Sequence, residues 1–118
     1  ARLAAVGRGE GHERVDDVGV ASIVRLLDQL PGLRELDVLI VAAGREGALP
    51  TVVAGLVDTP VVGLPVSTGY GHAGDGEAAL DGMLQSCTAL TAVNVDAGFT
   101  AGAQAALIAR TVDAARSE

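Results

Sequence analysis

The sequence predicts a doubly wound α/β fold, a mostly parallel sheet with helices on both faces, and three observations lead there. Short apolar runs alternate with segments of helical periodicity from about residue 13 onward. The longest of these runs, residues 38–43, is apolar at every position and stopped by Gly44, the pattern of a strand covered on both sides. Aromatic residues make up only 2% of the 118, so the core must be built from Ala, Val, Leu and Ile, which suits helices packed closely on a sheet.

The elements follow in order. Ala1 to Val6 reads as the end of an amphipathic helix, which implies a strand upstream that this chain lacks; with no initiator Met, the chain reads as the carboxyl-terminal part of a longer protein. Glu13-Arg14-Val15 is a short strand candidate before the turn at Asp17-Val18-Gly19. Ile23, Val24, Leu26, Leu27 and Leu30 recur at helical spacing until Pro31-Gly32 stops them. After the strand at 38–43, Leu49 to Val57 is helical, and Val61 to Leu64 is a strand ending at Pro65. Leu80, Met83, Leu84 and Cys87 then mark the apolar face of a third helix. A strand from Ala92 to Val95 ends at Asp96, and Ala101 to Ala115 is an Ala-rich closing helix. Parallel neighbours need long crossovers, and these helices have the length to supply them. Neither a repeat nor a linker interrupts the chain, so residues 1–118 form a single domain.

Charge narrows the function classes. Eight Arg, no Lys and fifteen Asp plus Glu give a net charge of −7, which repels a phosphate backbone and offers no basic patch to anionic lipid, so neither nucleic acid nor membrane is an expected partner. The single cysteine excludes an intrachain disulfide and suits a reducing, cytoplasmic setting. His12 and His72 have no second ligand at metal spacing, so no metal site is expected.

Chemistry is expected where the strands end, because ligands of parallel sheets bind beyond the carboxyl edge. Three glycine-rich loops lie there: residues 44–50, 65–76 and 96–102. Such loops let backbone approach a ligand closely, which points to a nucleotide-like molecule. Glu46, between Arg45 and Gly47, has two readings of equal weight, a general acid or base and a cap for the following helix. Cys87, at core spacing from Leu80 and Met83 and late in its helix, reads from spacing alone as a buried small hydrophobe. Asp16 and Asp17 read first as helix-capping residues.

The runs Asp17-Val-Gly-Val-Ala21, Ala43-Gly-Arg-Glu-Gly-Ala-Leu-Pro50, Pro65-Val-Ser-Thr-Gly-Tyr-Gly71, Met83-Leu-Gln-Ser-Cys87 and Val93-Asn-Val-Asp-Ala-Gly-Phe99 together resemble the catalytic domain of the LarB family. These are the pyridinium biscarboxylic acid mononucleotide synthases of nickel-pincer cofactor biosynthesis. The resemblance spans nearly the whole chain, in order, and has a shared background with PurE, the carboxyaminoimidazole ribonucleotide mutase. It implies a PurE-like, flavodoxin-like three-layer domain in a cytoplasmic homo-octamer. It further implies a carboxylase and hydrolase that takes nicotinic acid adenine dinucleotide and CO2 to the biscarboxylic acid mononucleotide and AMP.

By that resemblance Cys87 is the nucleophile that adds to the pyridinium ring and Glu46 the acid that removes the ring proton. Gly44, Arg45, Ser67, Thr68, Tyr70 and Gly71 would bind substrate, with Ser67, Thr68, Tyr70 and Gly71 at the nicotinate ring or its carboxylate and Asp17 at a ribose. No tightly bound cofactor is implied, and a requirement for Mg2+ is left open. The alternatives are the PurE-type mutase and a nucleotide-binding module without catalysis. A PurE carries His directly before the Leu-Pro of its central loop, where this chain has Ala48 before Leu49-Pro50.

Overall fold

The computed structural model describes residues 2–6, 12–16, 23–68, 71–72 and 74–117, the first two segments by their backbone. Among the described residues nine elements run in the order β1 (Arg2–Val6), β2 (His12–Asp16), α1 (Ile23–Leu33), β3 (Val38–Ala43), α2 (Ala48–Leu56), β4 (Val61–Pro65), α3 (Glu77–Leu84), β5 (Leu90–Ala92) and α4 (Gly98–Arg116). The strands make one sheet in the order β2-β1-β3-β4-β5. β3, β4 and β5 are parallel, while β1 runs antiparallel to both its neighbours.

The alternation expected of β3 is visible in its packing. Leu39 and Val41 face a core shared with Leu26, Leu30, Leu49 and Val53 of α1 and α2. Val38 faces the other way, with Val62, onto Ala101, Ala105 and Ala109 of α4. An Ala stripe lets the α4 backbone approach the sheet closely, which is how a core almost free of aromatics stays filled. α3 lies on the same face as α2: Met83 packs over the middle of β4, its sulfur 2.9 Å from where a Gly63 β-carbon would stand. The result is the three-layer α/β architecture expected, with helices on both faces.

Four local expectations are corrected. Arg2–Val6 is strand, not the tail of a helix; Ala has little β preference of its own, but pairing to β3 on one side and β2 on the other outweighs that. α1 runs through Pro31 and Gly32 to Leu33, because the proline forfeits one hydrogen bond while buried Leu33 gives the last turn an anchor. α3 ends at Leu84, so Cys87 is not on a helix, and it is exposed rather than buried. β5 is also shorter and earlier than expected, at Leu90–Ala92.

Candidate active site

The carboxyl ends of the parallel strands are laced together by main chain. The Val66 N–H donates to the Ala43 carbonyl (3.1 Å) and the Asp96 N–H to the Pro65 carbonyl (2.9 Å), so the three loops leaving β3, β4 and β5 start from a fixed edge. Arg45 and Gly71 meet across two of these loops: an Arg45 terminal nitrogen lies 3.8 Å from where a Gly71 β-carbon would be. Thr68 is exposed and Gly44 half-buried. Asp17 and Tyr70 lie outside the described residues.

Glu46 does not cap α2. The N-cap is Gly47, in a left-handed conformation with φ 68°, and no side chain bonds to the first turn. The capping reading therefore falls, and Glu46 stands exposed at the entrance to the helix. Its backbone is set by α3. A β-carbon on Gly82 would fall 2.2 Å from the Glu46 carbonyl oxygen, and one on Gly47 would fall 2.3 Å from that of Ala79. Contacts that short exclude any side chain at either position, so two glycines bring backbone against backbone where α3 crosses the loop.

Cys87 stands just past the end of that same helix, in a turn closed by its neighbours. The Thr88 hydroxyl reaches the Thr51 carbonyl in the first turn of α2 (3.4 Å). Having spent its proton there, it accepts from the Ser86 hydroxyl (2.7 Å), and the Thr88 N–H donates back to Ser86 Oγ (3.2 Å). Ser86 and Thr88 thus hold the backbone on either side of Cys87 while its thiol faces solvent. Glu46 meets α3 at Gly82, beyond the carboxyl end of β3. Cys87 lies instead in the connection from α3 to β5, where Thr88 meets Thr51 and Gly55 of α2 and Leu90 pairs with Val61 at the start of β4. Within one chain the two stand at opposite edges of the sheet.

Ser67 is engaged by Asp96, which the sequence marks as the end of a strand. Asp96 takes the Ser67 N–H on Oδ1 (2.9 Å) and the Ser67 hydroxyl on Oδ2 (2.5 Å). The hydroxyl bond and then the amide bond hold the Asp96 carboxyl below its ordinary value of 3.8, with slight desolvation opposing. Asp96 has φ 59°, a left-handed conformation that Asp tolerates better than most residues. The signal available in the sequence was an Asp opening a glycine-rich loop directly after a strand.

A cavity of about 540 Å3 lies at the opposite edge of the sheet, where Arg34, Leu36, Asp37, Leu56, Pro60 and Arg116 line it. Its charged groups join elements: Arg116 pairs with buried Asp37 at 2.6 Å, and Arg34 donates to the Leu56 carbonyl at 3.2 Å. Among the described residues there is no group of three or more His, Cys, Asp or Glu that could hold a metal ion. No described helix is long and apolar enough to cross a membrane.

Comparison with known proteins agrees with this architecture. A family model described as AIR carboxylase matches residues 19–118. The chain belongs to the AIR carboxylase family. An uncharacterized protein of Methanocaldococcus jannaschii is 50% identical over 97 residues, covering 80% of this chain and 37% of that relative. The chain thus spans little more than a third of the length of the curated relative it matches. The matched residues include the loops that leave the carboxyl ends of β3, β4 and β5.

Proposed function

We propose that this AIR carboxylase family member is a LarB-type enzyme, which carboxylates the pyridinium ring of nicotinic acid adenine dinucleotide and cleaves its phosphoanhydride. The observation that carries the reading is Cys87, an exposed thiol in a turn closed by the Ser86 and Thr88 hydrogen bonds. A pyridinium is an electron sink, so it suits a sulfur nucleophile. The Cys87 thiolate adds to a ring carbon, forming a C–S bond and a dihydropyridine whose enamine carbon attacks CO2. The Glu46 carboxylate takes the ring proton from the new C–C centre, the C–S bond breaks, and thiolate and aromatic ring are both restored. Water cleaves the phosphoanhydride and AMP leaves. Arg45, on the loop beside Gly71, supplies positive charge suited to the ring carboxylate, and Thr68, Tyr70 and Asp17 complete the proposed substrate contacts. The reading requires no tightly bound cofactor, and Mg2+ enters as an assay variable.

Family membership also favours PurE-type carboxyl transfer on an aminoimidazole ribonucleotide as a second reading. Ala48 opposes it, since a methyl group cannot do the proton transfer of an imidazole at that place. Labelled bicarbonate separates the two. With nicotinic acid adenine dinucleotide the label is expected to enter the pyridinium product as AMP appears. Glu46→Gln should lower turnover by about 100-fold or more, the usual scale of a lost general base. Turnover of the aminoimidazole ribonucleotide alone would overturn the reading in favour of the mutase.

A further inference from the structure

Resting on the dinucleotide reading, the geometry at Ser67 points to a narrower assignment: Ser67 and Asp96 form an acceptor-only pair that recognises hydroxyl groups of the sugar carried by the pyridinium ring. A serine hydroxyl has one proton to give. Here it goes to Asp96 Oδ2 at 2.5 Å, a length typical of a hydroxyl donating to a charged carboxylate. What Ser67 Oγ presents to a ligand is then lone pairs. Asp96 likewise presents only lone pairs, since its Oδ1 is already accepting the Ser67 N–H at 2.9 Å.

A carboxylate or phosphate brought to this pair would meet acceptors alone and be repelled. A vicinal diol, with two O–H donors a short distance apart, is its complement. The pair is built to stay in this arrangement: the Asp96 N–H is anchored on the Pro65 carbonyl at 2.9 Å, and Asp96 sits in the turn between β5 and α4. On this assignment Ser67 serves the sugar rather than the nicotinate ring or its carboxylate, the role the resemblance implies. In this assignment Asp96 positions Ser67 and also fixes which way its proton points.

The test is a binding cycle read by calorimetry on the intact chain. Nicotinic acid adenine dinucleotide is compared with analogues lacking the 2′- or 3′-hydroxyl of the nicotinate ribose, on wild type, Ser67→Ala and Asp96→Asn. Loss of one of these hydroxyls should weaken binding to wild type by about tenfold, the upper range for one hydrogen bond, and should cost little further in Ser67→Ala. Asp96→Asn offers Ser67 a donor in place of an acceptor, so it too should shrink the preference for the full ribose. A merely structural loss of the loop would weaken every ligand equally and leave the tenfold ratio in place, which would overturn the assignment. So would coupling of Ser67→Ala to removal of the ring carboxylate. If wild type binds no dinucleotide, the LarB-type reading fails separately, and the same cycle with ribose 5-phosphate and its 2-deoxy form decides the pair. Coupling there sustains it, and absence of binding or of coupling overturns it.

Discussion

At the scale of single residues, the site depends on where protons are held. Asp96 is the clearest case, since two hydrogen bonds from Ser67 keep its carboxyl charged below the ordinary range. A carboxyl whose folded value is depressed adds stability that is fully present above its unfolded value, near 3.8. That stability is lost as pH falls through the lower folded value. Asp96→Asn should therefore flatten the acid limb of the stability profile below about pH 4 and leave the profile near neutrality level. Thermal unfolding followed from pH 2.5 to 7 measures this; an unchanged acid limb would mean that the Ser67 contact does not persist in solution. The sequence marks Asp96 as opening a glycine-rich loop but not its partner, because a hydrogen bond between residues 29 positions apart has no local signature. Glu46 is legible as an acid or base from its place after a buried strand, whereas a catalytic role for Cys87 comes only through resemblance. Spacing alone makes Cys87 a core residue, since helical periodicity carried three residues past Leu84 is indistinguishable from a longer helix until the real end of α3 is seen.

At the scale of elements, the contact between α3 and the Glu46 loop sets the geometry, and its substance is the absence of side chains at Gly47 and Gly82. Helix propensity favours Ala over Gly inside α3 by about 1 kcal/mol. A methyl group 2.2 Å from the Glu46 carbonyl opposes that gain and should override it, since overpacking against backbone costs about 1–3 kcal/mol or more. Gly82→Ala is thus expected to lower both stability and turnover. Gly55→Ala, whose added carbon meets only the Thr88 methyl at 3.6 Å, should be neutral or stabilising by up to about 1 kcal/mol. Urea melts of the two variants check the pair; a Gly82→Ala protein as stable and active as wild type would show that the loop is placed by something else. β3 and β4 were readable to within a residue because burial on both faces writes a continuous apolar run. β1 was not, since Ala4 and Ala5 suit a helix and only the pairing with β3 decides otherwise.

At the scale of the whole molecule, the α/β layering follows from composition: small aliphatic side chains on β3 and β4, and an Ala stripe on α4 where close approach is needed. The proposed octamer belongs to this scale as well. Val24 and Leu27 on α1, Leu84 on α3 and Leu107 on α4 are exposed apolar groups that an assembly would cover. Light scattering coupled to size exclusion is expected to give a species of about eight chains, and a monomer across the working concentration range would remove the octamer.

The central claim is that Cys87 forms a covalent bond to a pyridinium ring, and intact-mass spectrometry after incubation with nicotinic acid adenine dinucleotide tests it most directly. The account predicts a mass increase matching one dinucleotide or mononucleotide adduct per chain on wild type and none on Cys87→Ser, a substitution at an exposed position that should leave the fold intact. Wild type and Cys87→Ser equally unmodified, with carboxylated product still forming, would contradict it.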